Sequence, residues 1–321
     1  MLDVTVRLDG VNLTFPRSTH TAITGPPTCG ASTLLRVIAG EERRGTVQIG
    51  TRDVSKLSTD RRPLLYVTGE LDVPGRWSVE HALVNAVRAR TLDREDRLHE
   101  LQLAAEKWQL DVKRRVDTLS DSEKARVNLA RIELRKPAIV VADKLLRDAA
   151  HLADEFYRTL RVLGTTVISA PASPAELGLT DHVVILDKGK VVQEGTAAQI
   201  FAEPRSEAAA IATGAVNVIP VVVSGRTVSS PIGEWDAEAP FQGEGKALLR
   251  PDAFHVAKPG EESDLIFGIE EATFENGRWI ARGFLTGVLS LRVALPRSEK
   301  VHKGRVLALR FDPREITLIP A

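Results

Sequence analysis

Gly25-Pro26-Pro27-Thr28-Cys29-Gly30-Ala31-Ser32-Thr33 is the stretch on which the fold turns. Ahead of it, Thr21-Ala-Ile-Thr24 reads as a short strand. Behind it, Ser32 to Gly40 has the apolar spacing of a helix, with Gly40 as its C-cap. The stretch is therefore a glycine-rich turn from strand into helix. The phosphate-loop pattern is Gly, four residues, Gly, Lys, then Ser or Thr. Every fixed position fits except the lysine, which is Ala31. Glycines at both ends let backbone N–H groups curl around an anion at a helix N-terminus, where the dipole favours negative charge. Ser32 keeps the hydroxyl that can ligate Mg2+, whereas Ala31 places no charge on the outer phosphates. A charge-assisted hydrogen bond contributes roughly 1.5–3 kcal/mol, so its loss lowers affinity for a phosphate ligand by about one to two decades.

Outward from the loop, the first two-thirds of the chain alternates strands and helices. Val11–Phe15 reads as a strand. Ser78–Arg90 and Arg94–Trp108 are charge-rich with helical apolar spacing, and predict a mostly helical insertion. Ala138-Ile-Val-Val-Ala142 and Thr166-Val-Ile-Ser169 are continuous apolar runs of the kind that form buried parallel strands. Val183–Leu186, Asp187-Lys-Gly-Lys190 and Val191–Gln193 read as a hairpin. After Pro204 the texture changes to short β-rich runs between turn signals: Val218–Val223, Ala247–Leu249, Trp279–Ala281, Leu289–Leu295 and Arg305–Arg310. These predict a small β-barrel or sandwich, with a boundary near residues 205 to 214.

The 321 residues suffice for two domains, and 43% apolar content suits a buried core. Lys plus Arg equals Asp plus Glu at 43 each, and the absence of a dense basic run argues against nucleic-acid binding. Cys29 is the single cysteine, so no intramolecular disulfide forms and a reducing compartment is natural. The first residues lack the basic patch and long apolar core of a signal peptide, and no apolar stretch approaches the roughly 20 residues of a spanning helix. The seven histidines show no pair at metal-ligand spacing.

Leu119-Ser-Asp-Ser-Glu123, the helix-compatible run with Arg126 and Arg131, then Pro137 and Ala138-Ile-Val-Val-Ala-Asp143, is similar without a gap to a known segment. It resembles the ABC signature running into Walker B: LSGGQ, a helix with the same arginine spacing, a proline, and an apolar strand ending in Asp-Glu. Asp181–Thr196 with Ile200, Phe201 and Pro204 resembles the closing strands and helix of the same family. Gly214–Pro220, Leu249-Arg-Pro251 and Phe311-Asp-Pro313 resemble landmarks of the TOBE domain appended to importer ATPases. The resemblance to ATP-binding subunits of ABC importers thus covers almost the whole chain. It implies an α/β ABC-type nucleotide-binding domain over residues 1–205, with a helical subdomain at about 76–136. A C-terminal all-β, OB-like TOBE barrel would follow over 206–321, expected to be a dimerisation barrel without a ligand.

The departures fall on chemistry. The acidic residue that orients or deprotonates the attacking water in the family is Lys144 here, and loss of a general base costs about 10²–10⁴ in rate. The histidine position is Pro171, the glutamine position Gly69 (or Thr68), and the aspartate of the following loop Ala150. The signature is Ser120, Asp121, Ser122 and Glu123, which sets carboxylates where the family caps the triphosphate of the opposite subunit. Leu2 stands nearest the position of the aromatic that stacks on adenine, and stacking is worth roughly 1–3 kcal/mol. Ser32 and Asp143 remain as the Mg2+ pair. Phosphoryl transfer relies almost wholly on positioning and electrostatics, and both are altered here.

The resemblance therefore implies an importer subunit that binds ATP and Mg2+ weakly or not at all, a scaffold or regulatory pseudo-ATPase. It would sit in the cytoplasm at the inner face of the membrane, docked on permease subunits through Gly69–Val79 and the helical insertion. Its partner would be a second copy or an intact paralogue. Two other readings stay open. One is a divergent working ATPase, with Ser32 and Asp143 holding Mg2+ and an external group replacing the base. The other is a soluble regulatory protein that binds through the TOBE-like barrel.

Overall fold

The computed structural model describes residues 2–87, 90, 93–214, 216–258, 261, 263, 265–275, 277–285 and 289–321. Its contacts divide the chain between Ile200 and Phe201. The N-terminal unit runs β1 (Val4–Leu8), β2 (Val11–Phe15), β3 (His20–Thr24), α1 (Ala31–Ala39), β4 (Thr46–Ile49), β5 (Arg52–Asp53), β6 (Leu65–Thr68) and α2 (Val79–Val87). It continues through α3 (Arg94–Lys107), α4 (Asp121–Arg135), β7 (Ile139–Asp143), α5 (Ala153–Val162), β8 (Thr166–Ala170), β9 (His182–Asp187) and β10 (Lys190–Gly195). The division falls within α6 (Ala197–Ala202).

Six strands form the main sheet in the order β10-β9-β3-β8-β7-β6, parallel apart from β10. Both faces of this sheet are covered, which is why its strands read as unbroken apolar runs. Ile139 and Val141 of β7 face a core shared with α1 (Leu34, Ile38) and with the small antiparallel sheet β2-β1-β4-β5. Val140, one residue out of phase, faces a second core built with Leu83 of α2, Trp108, Leu129 of α4 and Phe156 of α5. The helical insertion expected from Ser78–Arg90 and Arg94–Trp108 is α2 and α3, although Arg88 and Ala89 lie outside the described residues. The sequence reading did not anticipate β1, β4 to β6, or α5. β5 is two exposed residues and β6 only four, too short for periodicity to show.

His20 opens β3 with its side chain fully buried. Burial, aided by the positive charge of Arg161, holds its pKa down at about 4, against partial compensation by Asp181. An imidazole that titrates near 6.5 when unfolded thus binds its proton more readily in the unfolded chain. Stability should be unaffected at pH 7 and fall as pH drops from about 6.5 through 4, by roughly 3 kcal/mol in total. His20→Leu should remove that component. Thermal melts at pH 7.5 and 4.5 check it: the wild type should lose more than the variant, and equal losses would remove His20 as the cause.

The C-terminal unit begins with α7 (Glu207–Ala212), N-capped by Ser206, whose hydroxyl accepts the N–H of Ala209. Ten strands follow: β11 (Asn217–Ser224), β12 (Thr227–Ser230), β13 (Gly233–Asp236), β14 (Gly243–Leu249), β15 (Phe254–Val256), β16 (Leu265–Glu275), β17 (Arg278–Leu285), β18 (Leu289–Leu295), β19 (Val306–Phe311) and β20 (Thr317–Pro320). They make two antiparallel five-stranded sheets, β13-β12-β11-β14-β20 and β15-β19-β16-β17-β18. Alternate residues of both sheets, among them Ile219, Val221, Phe267 and Leu309, share one core. The runs read as strands from the sequence fall on β11, β14, β17, β18 and β19.

Candidate functional site

The turn after β3 is built around two glycines. A Cβ on Gly25 would lie 2.0 Å from the carbonyl oxygen of Leu186 and 2.8 Å from Cβ of Cys29, so no side chain fits there. Gly30 has φ +103°, a conformation open to glycine, and serves as the N-cap of α1. Cys29 is buried, and its carbonyl accepts the N–H of Gly189 at 2.9 Å, which pins the loop to the β9–β10 turn. Pro26, Pro27 and Thr28 complete the curve; Pro26 accepts the N–H of Cys29 at 3.0 Å. α1 then carries Ala31, Ser32 and Thr33 on its first turn.

The far end of α1 is held by a residue that no sequence motif marks. Arg62, only 5% exposed, donates to the carbonyls of Val37 at 2.7 Å and Ile38 at 2.6 Å, the final turn of the helix. Its other nitrogens reach the carbonyls of Leu57 at 3.1 Å and Ser55 at 3.2 Å. Burial lowers the Arg62 pKa from its ordinary value, with Arg43 contributing. A cation at a helix C-terminus meets the negative end of the dipole, so Arg62 and the open loop complement one another across α1.

At the end of β7, Asp143 accepts a hydrogen bond from Ser32 Oγ at 2.8 Å. The strands place the neighbours: Asp143 pairs in register with Thr68 of β6 on one side and Ala170 of β8 on the other. Lys144 follows in a left-handed conformation (φ +49°), exposed, with its N–H donating to Ala170 O at 2.9 Å. Pro171 continues directly from Ala170. A Cβ on Gly69 would sit 3.7 Å from the carbonyl of Lys144, which is ordinary contact, so a side chain there would not clash. Ser32, Asp143, Lys144, Pro171 and Thr68–Gly69 therefore meet at one edge of the parallel sheet. Tyr66 stands by the same edge, its hydroxyl pushed up to about 12 by burial and by the charge of Asp143.

Two elements brace this edge. Asn128 of α4, buried, donates to the carbonyls of Thr68 and Glu70, both at 3.2 Å, and so fixes the segment through Gly69. Glu176, buried, accepts the N–H groups of Ala172 at 2.9 Å and Ser173 at 3.1 Å, fixing the turn after Pro171. Burial raises the Glu176 pKa in spite of these bonds. An amide within an apolar helical stripe was the only sequence signal for Asn128.

The signature residues stand apart, joined to the loop by no hydrogen bond or ion pair among the described residues. Ser120 is the N-cap of α4 and forms a reciprocal capping box with Glu123: Glu123 N–H donates to Ser120 Oγ at 3.3 Å, and Ser120 N–H to Glu123 Oε2 at 2.8 Å. Arg114 donates to the other oxygen of Glu123 at 2.5 Å. The Ser120 N–H, then its hydroxyl, then Arg114 hold the Glu123 pKa below its ordinary value. Asp121 pairs with Lys124 at 2.9 Å, and Ser122 is half-buried on the same turn. Glu123 thus folds back on its own helix, where Ser120 and Arg114 engage its carboxylate. Ala150 opens a 3₁₀ turn on the surface, and Leu2 lies over Gly50.

The α/β unit, with its glycine-rich turn between β3 and α1, has the ABC ATPase P-loop fold, and a β-rich C-terminal unit follows it. Residues 8–146 match the family model described as ABC transporter. The molybdate/tungstate import ATP-binding protein WtpC of Pyrococcus horikoshii is 26% identical over 308 residues, covering 88% of this chain and 89% of that protein. The sn-glycerol-3-phosphate import ATP-binding protein UgpC 3 of Rhizobium etli is 29% identical over 279 residues, 82% and 77% of the two chains. Among solved structures, cbiO1 from Clostridium perfringens, part of an ABC transporter complex, superposes with a TM-score of 0.54 at 19% identity, over 62% of this chain and 90% of that one. A nucleotide-free ATP-binding cassette from an ABC transporter gives 0.54 at 19%, over 64% and 96%. At the level of the family, this chain is a homologue of the ATP-binding subunits of ABC importers.

Proposed function

We propose that this chain occupies the place of an ATP-binding subunit in an ABC importer without driving it by hydrolysis. The observation that carries the proposal is the inverted charge around an otherwise retained Mg2+ pair. Ser32 and Asp143 are bonded at 2.8 Å, but the loop position that should be cationic is the buried Ala31, and the position that should be anionic is Lys144. The donor set fits a hard cation such as Mg2+, which Ser32 and Asp143 would hold. When bound, the ion would draw phosphate oxygens to the loop amides and neutralise charge on them. Lys144 offers a second positive charge at that edge, so an oligophosphate can be held. No carboxylate is in place after Asp143 to take a proton from water, and Pro171 offers no donor to a terminal phosphate.

The capping box at Ser120 supports the same reading. A helix N-terminus whose Ser120 N–H already bonds the Glu123 carboxylate, with that negative charge held beside it, is a poor anion cap for an opposing subunit's site. On this proposal residues 1–205 are the nucleotide-binding domain, with the helical subdomain at about 76–136, and 206–321 are a TOBE-like domain. The chain acts at the inner face of the membrane with permease subunits and either itself or an intact paralogue. Among the described residues no helix is long and apolar enough to cross a membrane.

The retained Ser32–Asp143 bond favours one rival, a divergent ATPase that takes its base from elsewhere. Calorimetry with MgATP and a phosphate-release assay separate the two. The proposal expects affinity weaker than micromolar and no turnover above background. Micromolar affinity together with turnover above about 1 s⁻¹, the low end of ordinary enzymes, would falsify it.

A further inference from the structure

Parallel pairing of β9 and β8 with β3, and of β7 with β8, brings the ends of these strands to one edge of the main sheet. What leaves each end differs. Lys188 stands in the turn after β9 and Lys190 opens β10, the phosphate loop leaves β3, and Lys144 leaves β7. In the order β9-β3-β8-β7 the outer two strands are three spacings apart, about 14 Å. Cations thus flank the loop on both sides, although none stands within it, where Ala31 is. Among the described residues, no hydrogen bond or ion pair occupies the ammonium group of Lys144, Lys188 or Lys190.

On the β9 side a cavity of about 250 Å³ opens against the loop, walled by Gly30 and Thr33 and rimmed by Lys188, Lys190, Arg44 and Asp9. Arg44 is balanced by Glu42 at 3.1 Å and by Asp9 at 4.0 Å. Asp187 lies opposite Lys190 in the hairpin register, half-buried. The two lysines are therefore the free charges of this rim. Pockets that take a whole small molecule run to roughly 300–1,000 Å³. This one is smaller, so it suits one end of a ligand whose remainder lies on the loop.

We propose that this edge binds a linear inorganic oligophosphate longer than a triphosphate, laid from Lys188 and Lys190 across the loop to Lys144. The proposal rests on the reading of the loop as a phosphate site and extends it to both sides. The first amides of α1 have no acceptor within the helix and meet the middle of the chain. The ammonium groups meet its two ends through charge-assisted hydrogen bonds. Length and charge decide the ligand. A nucleoside triphosphate would set its uncharged sugar and base against one of the two cation groups, and Leu2 offers no ring for the base to stack on. Pyrophosphate reaches only part of the row.

The test uses the full chain at constant Mg2+ and titration calorimetry with pyrophosphate, tetrapolyphosphate and ATP. Tetrapolyphosphate should bind about tenfold tighter than either of the others, with affinity falling as salt is raised. Lys188→Glu with Lys190→Glu should weaken tetrapolyphosphate about tenfold, exposed cations being partly screened, and pyrophosphate less than about threefold. Lys113→Glu with Lys303→Glu makes the same change of net charge at exposed positions outside the row, and should leave both affinities nearly unchanged. Lys188 has φ +48°, a backbone that asparagine tolerates. Lys188→Asn with Lys190→Gln therefore keeps the test decisive if the reversed charges unfold the chain, and should weaken tetrapolyphosphate about threefold. The proposal is overturned if tetrapolyphosphate binds no tighter than pyrophosphate, or if ATP binds tighter than tetrapolyphosphate. It is overturned equally if the Lys113 and Lys303 pair weakens binding as much as the Lys188 and Lys190 pair, which would make the effect one of net charge. Phosphate release from ATP plays no part in these readouts, so this proposal can fail while the non-hydrolysing reading stands, and the reverse.

Discussion

Ala31→Lys combined with Lys144→Glu should raise MgATP affinity by about ten- to hundredfold, the worth of one charge-assisted hydrogen bond to the outer phosphates. The single variants should not behave alike. Ala31→Lys alone adds a cation to a site that already has one in Lys144, and should gain at least as much as the double variant. Lys144→Glu alone sets a second carboxylate after Asp143 with nothing to offset it, and should bind worse than wild type. Ala31 is buried on the first turn of α1, so the new stem must lie along apolar surface while its head reaches the loop. Turnover of the double variant should stay below about 1 s⁻¹, because Pro171, Ala150 and the self-capped Ser120–Glu123 turn are unchanged. Titration calorimetry and phosphate release report the two quantities separately. If affinity does not move in the double variant, the absent stacking group or the signature dominates, and the charge inversion does not explain weak binding.

The main sheet was legible because burial on both faces forces unbroken apolar runs, and the loop because glycine is required where a Cβ would strike Leu186. What the sequence could not show is how the site's charges are spent. Glu123 reads as a carboxylate facing outward, yet three nearby donors, the N–H and hydroxyl of Ser120 and the guanidinium of Arg114, turn it inward. Such competition among donors is set by distance, and distance is not written in spacing. The partners of Asn128 and Arg62 were illegible for a related reason. Each acts on carbonyl groups far away in sequence: Asn128 reaches across 60 residues to Thr68, and Arg62 across 25 to Val37. Polar side chains that serve distant backbone carry no local motif. The C-terminal strands that escaped notice have the opposite cause. β13 and β15 hold only four and three residues, and β16 is interrupted by a bulge between Ile269 and Glu271.

Arg62→Ala should destabilise the N-terminal unit by about 4 kcal/mol, since several buried carbonyls lose charge-assisted donors at once. Two of those carbonyls, of Val37 and Ile38, end α1, whose other end is the phosphate loop. The loss therefore reaches the site through the helix itself. Gly40 is bound to the same arrangement: its φ is +91°, and a Cβ there would lie 2.5 Å from Arg62 Nε. The arginine thus packs against a helix end that only glycine can leave open. Arg62→Lys keeps the charge but presents a single nitrogen where the guanidinium reaches four carbonyls from three nitrogens, so it should recover less than half of the stability. Urea unfolding of wild type and both variants measures this directly. A cost for Arg62→Ala below about 1 kcal/mol, within reach of an ordinary surface change, would mean that water replaces the guanidinium at those carbonyls and that α1 does not depend on it. If the cost is as large as expected, the same variants should expose the loop pinned at Cys29 and Gly189 to faster hydrogen exchange, because the segment between β3 and α1 is anchored by the helix it begins.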